Sequence, residues 1–220
     1  MLLNRIARKV QRALFSSDKI SCARPTYLDL GAHHPTYLSS TCFSYLRGGR
    51  GVCVEPDPLP FRDLQKKRGR DTCLNVGART LPDAEFFLMS ASTLNTFSQE
   101  EAWRLEADTT HRIVRTVRVP IVSVNQIIEE HFPACPHFVS LDIEGMDMEI
   151  LRAFDFGRWR PPVFCVETLV FSERRSGAAK IGDVAALMDS QGYFVYADTY
   201  VNTVFVDRAR WADELGEAAS

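Results

Sequence analysis

Tyr27-Leu28-Asp29-Leu30-Gly31-Ala32-His33-His34-Pro35 reads as a short apolar strand that ends in an acid, a glycine and a loop. A second apolar run, Gly51-Val52-Cys53-Val54-Glu55-Pro56, follows after one helix-length interval and also ends in an acid. Strand, glycine turn, helix, strand and terminal acid is the arrangement by which an open α/β sheet grips a nucleoside. The glycine lets backbone approach the ligand, and the second acid accepts hydrogen bonds from ribose hydroxyls.

The rest of the chain extends that frame. Pro58 to Lys67 is predicted to be a helix, with Asp57 at its N-cap and Pro58 at its first position. Leu38 to Gly48 reads as a helix closed by Gly48-Gly49, and Thr72 to Ala78 as a third strand containing Asn75. Ser123 should cap a helix from Val124 to His131. Strands are expected at Phe138–Ile143 and Val163–Glu167, and helices at Met146–Phe154 and Gly182–Gln191. Tyr193–Ala197 and Thr203–Val206 are strands separated by a short polar turn. They must pair antiparallel, because parallel neighbours need a long crossover. Residues 90–116 fit the sheet pattern poorly. After an extended piece at Glu85–Met89 they form a polar run and then a charged, partly helical stretch, a suitable place for a substrate lid.

Composition narrows the function. Net charge is −2 over 220 residues, which gives no general case for nucleic acid. No apolar run approaches the ~20 residues of a membrane span. Residues 1–24 differ from the rest: six basic residues face Asp18 alone, a net of +5 against −7 for the remainder. Leu2, Leu3, Ile6, Val10, Ala13 and Leu14 recur there at helical spacing. This basic amphipathic helix either packs on the domain or makes weak contact with an anionic membrane surface through residues 1–20. Cys22, Cys42, Cys53, Cys73, Cys135 and Cys165 form no CxxC or zinc-type pair. With no disulfide framework, a reduced, cytoplasmic chain is expected, at most peripheral to the inner membrane face.

Acids recur at predicted strand ends: Asp29, Glu55, Asp142 with Glu144, and Glu167. In open parallel sheets that edge is the ligand edge, and an unpartnered carboxylate there is costly. A dinucleotide site needs GxGxxG, but Gly31 is followed by Ala32-His33-His34, so a pyrophosphate lacks its cradle and a dehydrogenase is disfavoured. One glycine and one ribose acid suffice for a nucleoside without phosphates, and S-adenosylmethionine is such a ligand.

The chain resembles the FkbM family of S-adenosylmethionine-dependent methyltransferases. The resemblance is carried by the first stretch quoted above, by Ser39-Ser40-Thr41, and by Gly48-Gly49-Arg50-Gly51 running into Val52-Cys53-Val54-Glu55-Pro56. It continues through Arg70-Asp71, Asn75-Val76-Gly77, Ser140-Leu141-Asp142-Ile143-Glu144-Gly145-Met146-Asp147 and Val166-Glu167. It covers about residues 25–207. It implies an α/β, Rossmann-like, seven-stranded class I methyltransferase sheet, order 3-2-1-4-5-7-6 with the seventh strand antiparallel and helices on both faces. The methyltransferase domain is expected over 25–210, with the insertion at 90–116. Asp29, Gly31 and Ala32 would lie against the methionine part of the cofactor. Glu55 and Pro56 would take the ribose, Asn75 and Val76 would flank the adenine, and Asp142 would lie near the methionine amino group and the methyl acceptor.

Methyl transfer to a hydroxyl needs positioning and removal of one proton. The candidate bases are Asp142, Glu144, His33 and His34. A divalent metal (Mg or Ca) held by Asp142, Glu144 and Glu167 is an alternative way to acidify a hydroxyl. The expected reaction is O-methylation of a small molecule: a sugar or glycan precursor, or a secondary metabolite. The alternatives are N-methylation on the same fold, or a non-catalytic module that binds the cofactor or acts as a scaffold.

Overall fold

The computed structural model describes residues 22–80, 84–143, 146–168 and 178–211, without the side chains of 178–182. The N-terminal helix expected over 1–24 therefore lies outside the described residues, apart from its last three.

Strands β1 (Thr26–Leu30), β2 (Arg50–Val54) and β3 (Thr72–Leu74) form one half of the main sheet. Strands β8 (Phe138–Leu141), β9 (Val163–Glu167), β10 (Tyr193–Asp198) and β11 (Asn202–Asp207) form the other. The spatial order is β10-β11-β9-β8-β1-β2-β3. Counting only these seven strands gives 3-2-1-4-5-7-6, as expected. All pairs are parallel except those of β11, which runs antiparallel to both β9 and β10.

Alternation along the strands divides the core. Leu28, Leu30, Val52, Val54, Val139, Leu141, Phe164 and Val166 face one side. That side is covered by α4 (Val124–His131), α5 (Asp147–Ala153) and α6 (Ala178–Ser190) through Ile127, Ile128, Ile150, Leu151 and Met188. Tyr27, Cys53, Phe138 and Cys165 face the other side, against Leu64 of α2 (Pro58–Lys67) and the half-buried Tyr45 of α1 (Cys42–Leu46). Burial on both faces is what a parallel sheet requires. All six cysteines are free.

Local capping fixes several boundaries. Asp57 accepts from Leu59 N at 2.9 Å at the start of α2, and Ser123 accepts from Gln126 N at 3.2 Å at the start of α4. Helix α1 is shorter than the expected Leu38–Gly48. Leu38 has φ +55°, outside the right-handed helical region. Ser39 Oγ instead accepts from Cys42 N at 3.1 Å, so the chain enters the helix only at Cys42. Strand β3 also stops early, at Leu74. Gly77–Ala78 (β4) leaves the main sheet to pair in parallel with Ile121–Val122 (β7).

Between β4 and β7 lies the insertion. It is an antiparallel hairpin of β5 (Ala84–Met89) and β6 (Ile113–Val119), joined by a 3-10 turn at Ser92–Leu94 and helix α3 (Gln99–Asp108). The stretch expected as an insertion at 90–116 thus lies within a hairpin whose strands run from Ala84 to Val119. Alternation gives it two small cores. Phe87 and Met89 pack under Ala102 and Leu105 of α3, while Phe86 packs against Phe97, Ala84 and Val119 on the opposite face.

Candidate active site

The C-terminal ends of β1, β2, β8 and β9 meet the insertion around a cavity of ~410 Å³. Asp29, Gly31, Ala32, His33, Glu55, Pro56, Asp142 and Glu167 all line it. The parallel register makes this possible: Asp29 lies opposite Cys53 on β2 and Ser140 on β8, so the acids that end each strand emerge side by side.

Gly31 closes the sharp turn out of β1. Its φ is +78°, and a Cβ there would lie 1.9 Å from the backbone oxygen of Asp142. The turn is fixed by Gly31 N and Ala32 N, both donating to Val54 O at 3.0 Å, and by Asp142 N donating to Leu30 O at 3.1 Å. Only glycine allows β1 and β8 to approach this closely at their ends.

Glu55 is buried, with 4% exposure. One carboxylate oxygen accepts from His33 N at 2.8 Å and the other from Asp57 N at 2.7 Å. Burial pushes its pKa up to about 8, against the pull of those two N–H groups. A carboxylate oxygen has two lone pairs. Each oxygen of Glu55 therefore keeps acceptor capacity on the cavity side, which suits a pair of hydroxyls.

Asp29 is buried and accepts from Thr41 Oγ1 at 2.5 Å. Burial raises its pKa to about 6, while Thr41 and the Arg68 charge hold it down. Asp142 is raised by desolvation too, offset by a hydrogen bond with Glu167 and by the His33 charge. His33, at φ +42°, turns its Nε2 to Ser92 Oγ at 2.9 Å. Its pKa is lowered, by burial first and then by His34.

Three expected residues stand away from the cavity. His34 Nδ1 accepts from Tyr37 N at 2.7 Å and from Thr36 N at 3.2 Å, so that ring nitrogen caps its own loop. Asn75 donates to Glu55 O at 2.8 Å and Pro56 O at 3.0 Å, and Val76 packs into the core. Asn75 positions the end of β2 rather than lining the cavity. The metal expectation is not supported either. Among the described residues no group of three or more His, Cys, Asp or Glu could hold an ion. Asp142 and Glu167 bond each other, and Glu144, named also as a candidate base, lies outside the described residues.

The insertion contributes side chains that the sequence pattern did not single out. Phe86 and Phe97, 4.5 Å apart between ring centroids, form one wall. Asn95 also lines the cavity; it accepts from Met89 N at 2.7 Å and donates to Asp57 Oδ2 at 2.9 Å, tying the hairpin to the cap of α2. Asn95 and Ser92 lie in the polar run, but only the fold shows which polar residues turn inward.

The strand order, the reversed β11 and the glycine-and-acid edge define a class I methyltransferase fold. Within it, the chain belongs to the Methyltransferase FkbM domain family, whose model matches residues 29–195. Among solved structures it is similar to methyltransferase FkbM from Methylobacillus flagellatus KT, at 14% identity and TM-score 0.48, over 84% of this chain and 44% of that one. The chain thus spans less than half the length of that relative. It is also similar to a TehB-like SAM-dependent methyltransferase from Corynebacterium glutamicum, at 8% identity and TM-score 0.42, over 94% and 98% of the two chains. A third similarity is to the 1,6-didemethyltoxoflavin-N1-methyltransferase of Burkholderia thailandensis with bound S-adenosylhomocysteine, at 9% identity and TM-score 0.43, over 93% and 76%. No curated protein matches the chain. No helix among the described residues is long and apolar enough to cross a membrane.

Proposed function

We propose that this chain is an S-adenosylmethionine-dependent O-methyltransferase acting on a hydroxyl of a sugar, a glycan precursor or a secondary metabolite. The observation that carries the reading is the convergence of Asp29, Gly31, Glu55 and Asp142 on one cavity in a methyltransferase-family chain. At ~410 Å³ the cavity lies in the range of small-molecule sites, roughly 300–1,000 Å³.

The residues fit the cofactor. Glu55 has acceptor capacity left for two ribose hydroxyls, and Gly31 keeps the floor free of side chain. Asp29 offers a carboxylate to an amino group, and the Phe86–Phe97 wall offers an apolar surface to a base. When bound, S-adenosylmethionine supplies a methyl group already activated on a sulfonium. The chain then has to orient the acceptor and take its proton. Asp142 is our first candidate for that base, because desolvation brings its pKa nearer to working pH. His33 is the second; burial and His34 lower its pKa, which favours the neutral ring that a base needs. Glu167 hydrogen-bonds Asp142 and so orients it.

Titration calorimetry with S-adenosylmethionine and S-adenosylhomocysteine, with NAD as control, tests the cofactor on wild type and Glu55→Ala. Micromolar binding of both sulfur ligands, lost in the variant, is expected. A screen of hydroxyl-bearing acceptors with labelled methyl then follows. Folded protein that binds neither ligand would overturn the reading.

A further inference from the structure

Behind Asp29, on the side away from the cavity, lies a polar cluster that the proposed chemistry does not use. Thr41 and Arg68 are 0% and 1% exposed, in a region otherwise filled by apolar side chains. Arg68 follows the last turn of α2, and its N–H donates to Leu64 O at 2.7 Å. All three nitrogens of its guanidinium donate. Nε donates to Asp71 at 2.8 Å, Nη1 to Pro35 O at 3.0 Å, and Nη2 to Thr41 Oγ1 at 2.7 Å and Tyr27 OH at 3.3 Å. Thr41 Oγ1 accepts from Arg68 and passes its own hydrogen to Asp29 Oδ2 at 2.5 Å. A hydroxyl has one hydrogen. With Arg68 donating into its lone pair, the Thr41 hydrogen is directed onto Asp29 Oδ2, which holds that oxygen as an acceptor.

We propose that Arg68 and Thr41 are positioning residues: a buried relay that holds the Asp29 carboxylate as an acceptor aimed into the cavity, as the seat for the amino group of the cofactor's amino-acid end. The inference rests on the cofactor reading above and adds residues to it. It also gives Ser39, Thr41 and Asp71, from the stretches Ser39-Ser40-Thr41 and Arg70-Asp71, a shared task. Ser39 sets the start of α1 and so places Thr41. Asp71 anchors Arg68 while accepting from Tyr27 OH at 2.7 Å and Gly51 N at 3.0 Å. Without the relay, burial alone would favour a protonated, neutral Asp29, which has nothing to offer a cation.

Several other groups face Asp29. Ser140 hydrogen-bonds it, Arg68 and Asp142 act on it through charge, and Cys53, Glu55 and Cys165 feel its charge in turn. Burial pushes Cys165 up to about 12, and Cys53 is raised mainly by its bond to Cys73, so neither thiol ionises in the working range. Glu55 titrates there, but it serves the ribose end of any ligand.

That division supplies the test. S-adenosylhomocysteine has the amino-acid end, while 5′-methylthioadenosine keeps the nucleoside and thioether without it. Calorimetric affinities of both would be measured from pH 5 to 8 on wild type, Thr41→Val, Thr41→Ser and Asp29→Asn. The ratio of the two affinities removes the Glu55 contribution. In wild type the ratio should fall as pH drops through about 6. In Thr41→Val the fall should move up by about one pH unit, the usual weight of one hydrogen bond to a carboxylate. Thr41→Ser, which keeps the hydroxyl, should restore the wild-type profile, and Asp29→Asn should give a low, flat ratio. A Thr41→Val profile that superimposes on wild type overturns the relay while leaving the cofactor reading intact. Should Thr41→Val fail to fold, wild type and Asp29→Asn still decide, because a wild-type ratio as low and flat as that of Asp29→Asn removes the seat and the relay with it. Binding of neither ligand to folded wild type overturns the cofactor reading and the relay with it.

Discussion

Buried charge occurs in two neighbouring regions of this molecule, and the protein treats it in opposite ways. Under the sheet, Asp71 and Arg68 are paired at 2.8 Å, with 0% and 2% side-chain exposure. Tyr27, Thr41, Gly51 and Pro35 take up their remaining capacity. At the strand ends, Glu55, Asp29 and Asp142 are desolvated and form no Arg or Lys salt bridge among the described residues, and all three have raised pKa values. The first region is closed and holds the fold. The second is held open, with acceptor capacity turned toward a cavity. Asp29 belongs to both, with its back to the relay and its face to the site.

The largest expected effect comes from breaking the closed region. Arg68→Met removes one partner of a buried pair and strands the Asp71 charge. A loss of about 3–5 kcal/mol of stability is expected in urea denaturation. A loss below about 1 kcal/mol would mean that the pair is solvated in solution, and the contrast between the regions would not hold.

The open region should show itself through pH. A carboxyl whose pKa is raised by folding favours the folded state while protonated. That contribution is full below the unfolded pKa and is lost as pH rises through the folded pKa. For Glu55 the window runs from its ordinary 4.5 to about 8, and for Asp29 from 3.8 to about 6. Ligand-free protein should therefore lose on the order of 5 kcal/mol between about pH 5 and pH 8.5. Glu55→Gln should flatten most of that slope above pH 6. A wild-type profile that rises over the same window would contradict the raised pKa values.

These two regions were not equally legible in the sequence. Strand ends, the single glycine and the caps at Asp57 and Ser123 are local signals, and the structure keeps them within a residue or two, apart from the third strand, which stops at Leu74. The acids of the open region were readable because each ends an apolar run. The closed region was not. Arg68 follows Lys66 and Lys67, where a third cation looks like ordinary complement to a helix C-terminus. Its burial depends on Tyr27 and Thr41, 41 and 27 residues away. The insertion was half legible for a similar reason. In β6, Thr116 and Arg118 are exposed on one face and Arg115 on the other, and no local pattern shows that Phe86 and Phe97 would meet across the turn.

A smaller effect tests whether the insertion belongs to the open region or merely leans on it. Asn95→Ala removes the acceptor of Met89 N and the donor to Asp57. A stability loss of about 1–2 kcal/mol is expected, since the buried Met89 N–H is left unsatisfied. Affinity for S-adenosylhomocysteine should fall as well, because Asp57 N is one of the two donors that orient Glu55. Lost stability with unchanged affinity would place the hairpin outside the site.

The smallest expected effect concerns the contact between His33 and Ser92. It joins a cavity loop to the insertion, but it is an exposed hydrogen bond of 2.9 Å, where water replaces a missing partner easily. Ser92→Ala should cost no more than about 0.5 kcal/mol. The histidine titration is the sharper readout. His33 lies below the usual histidine value because it is buried and next to His34, neither of which the substitution alters. The NMR midpoint of its ring should therefore be low in wild type and stay low in Ser92→Ala. A shift of more than about half a unit would make the serine, and so the insertion, the controlling partner of His33. The open region would then extend past the strand ends into the hairpin, and closure of that hairpin would set the charge of a candidate base.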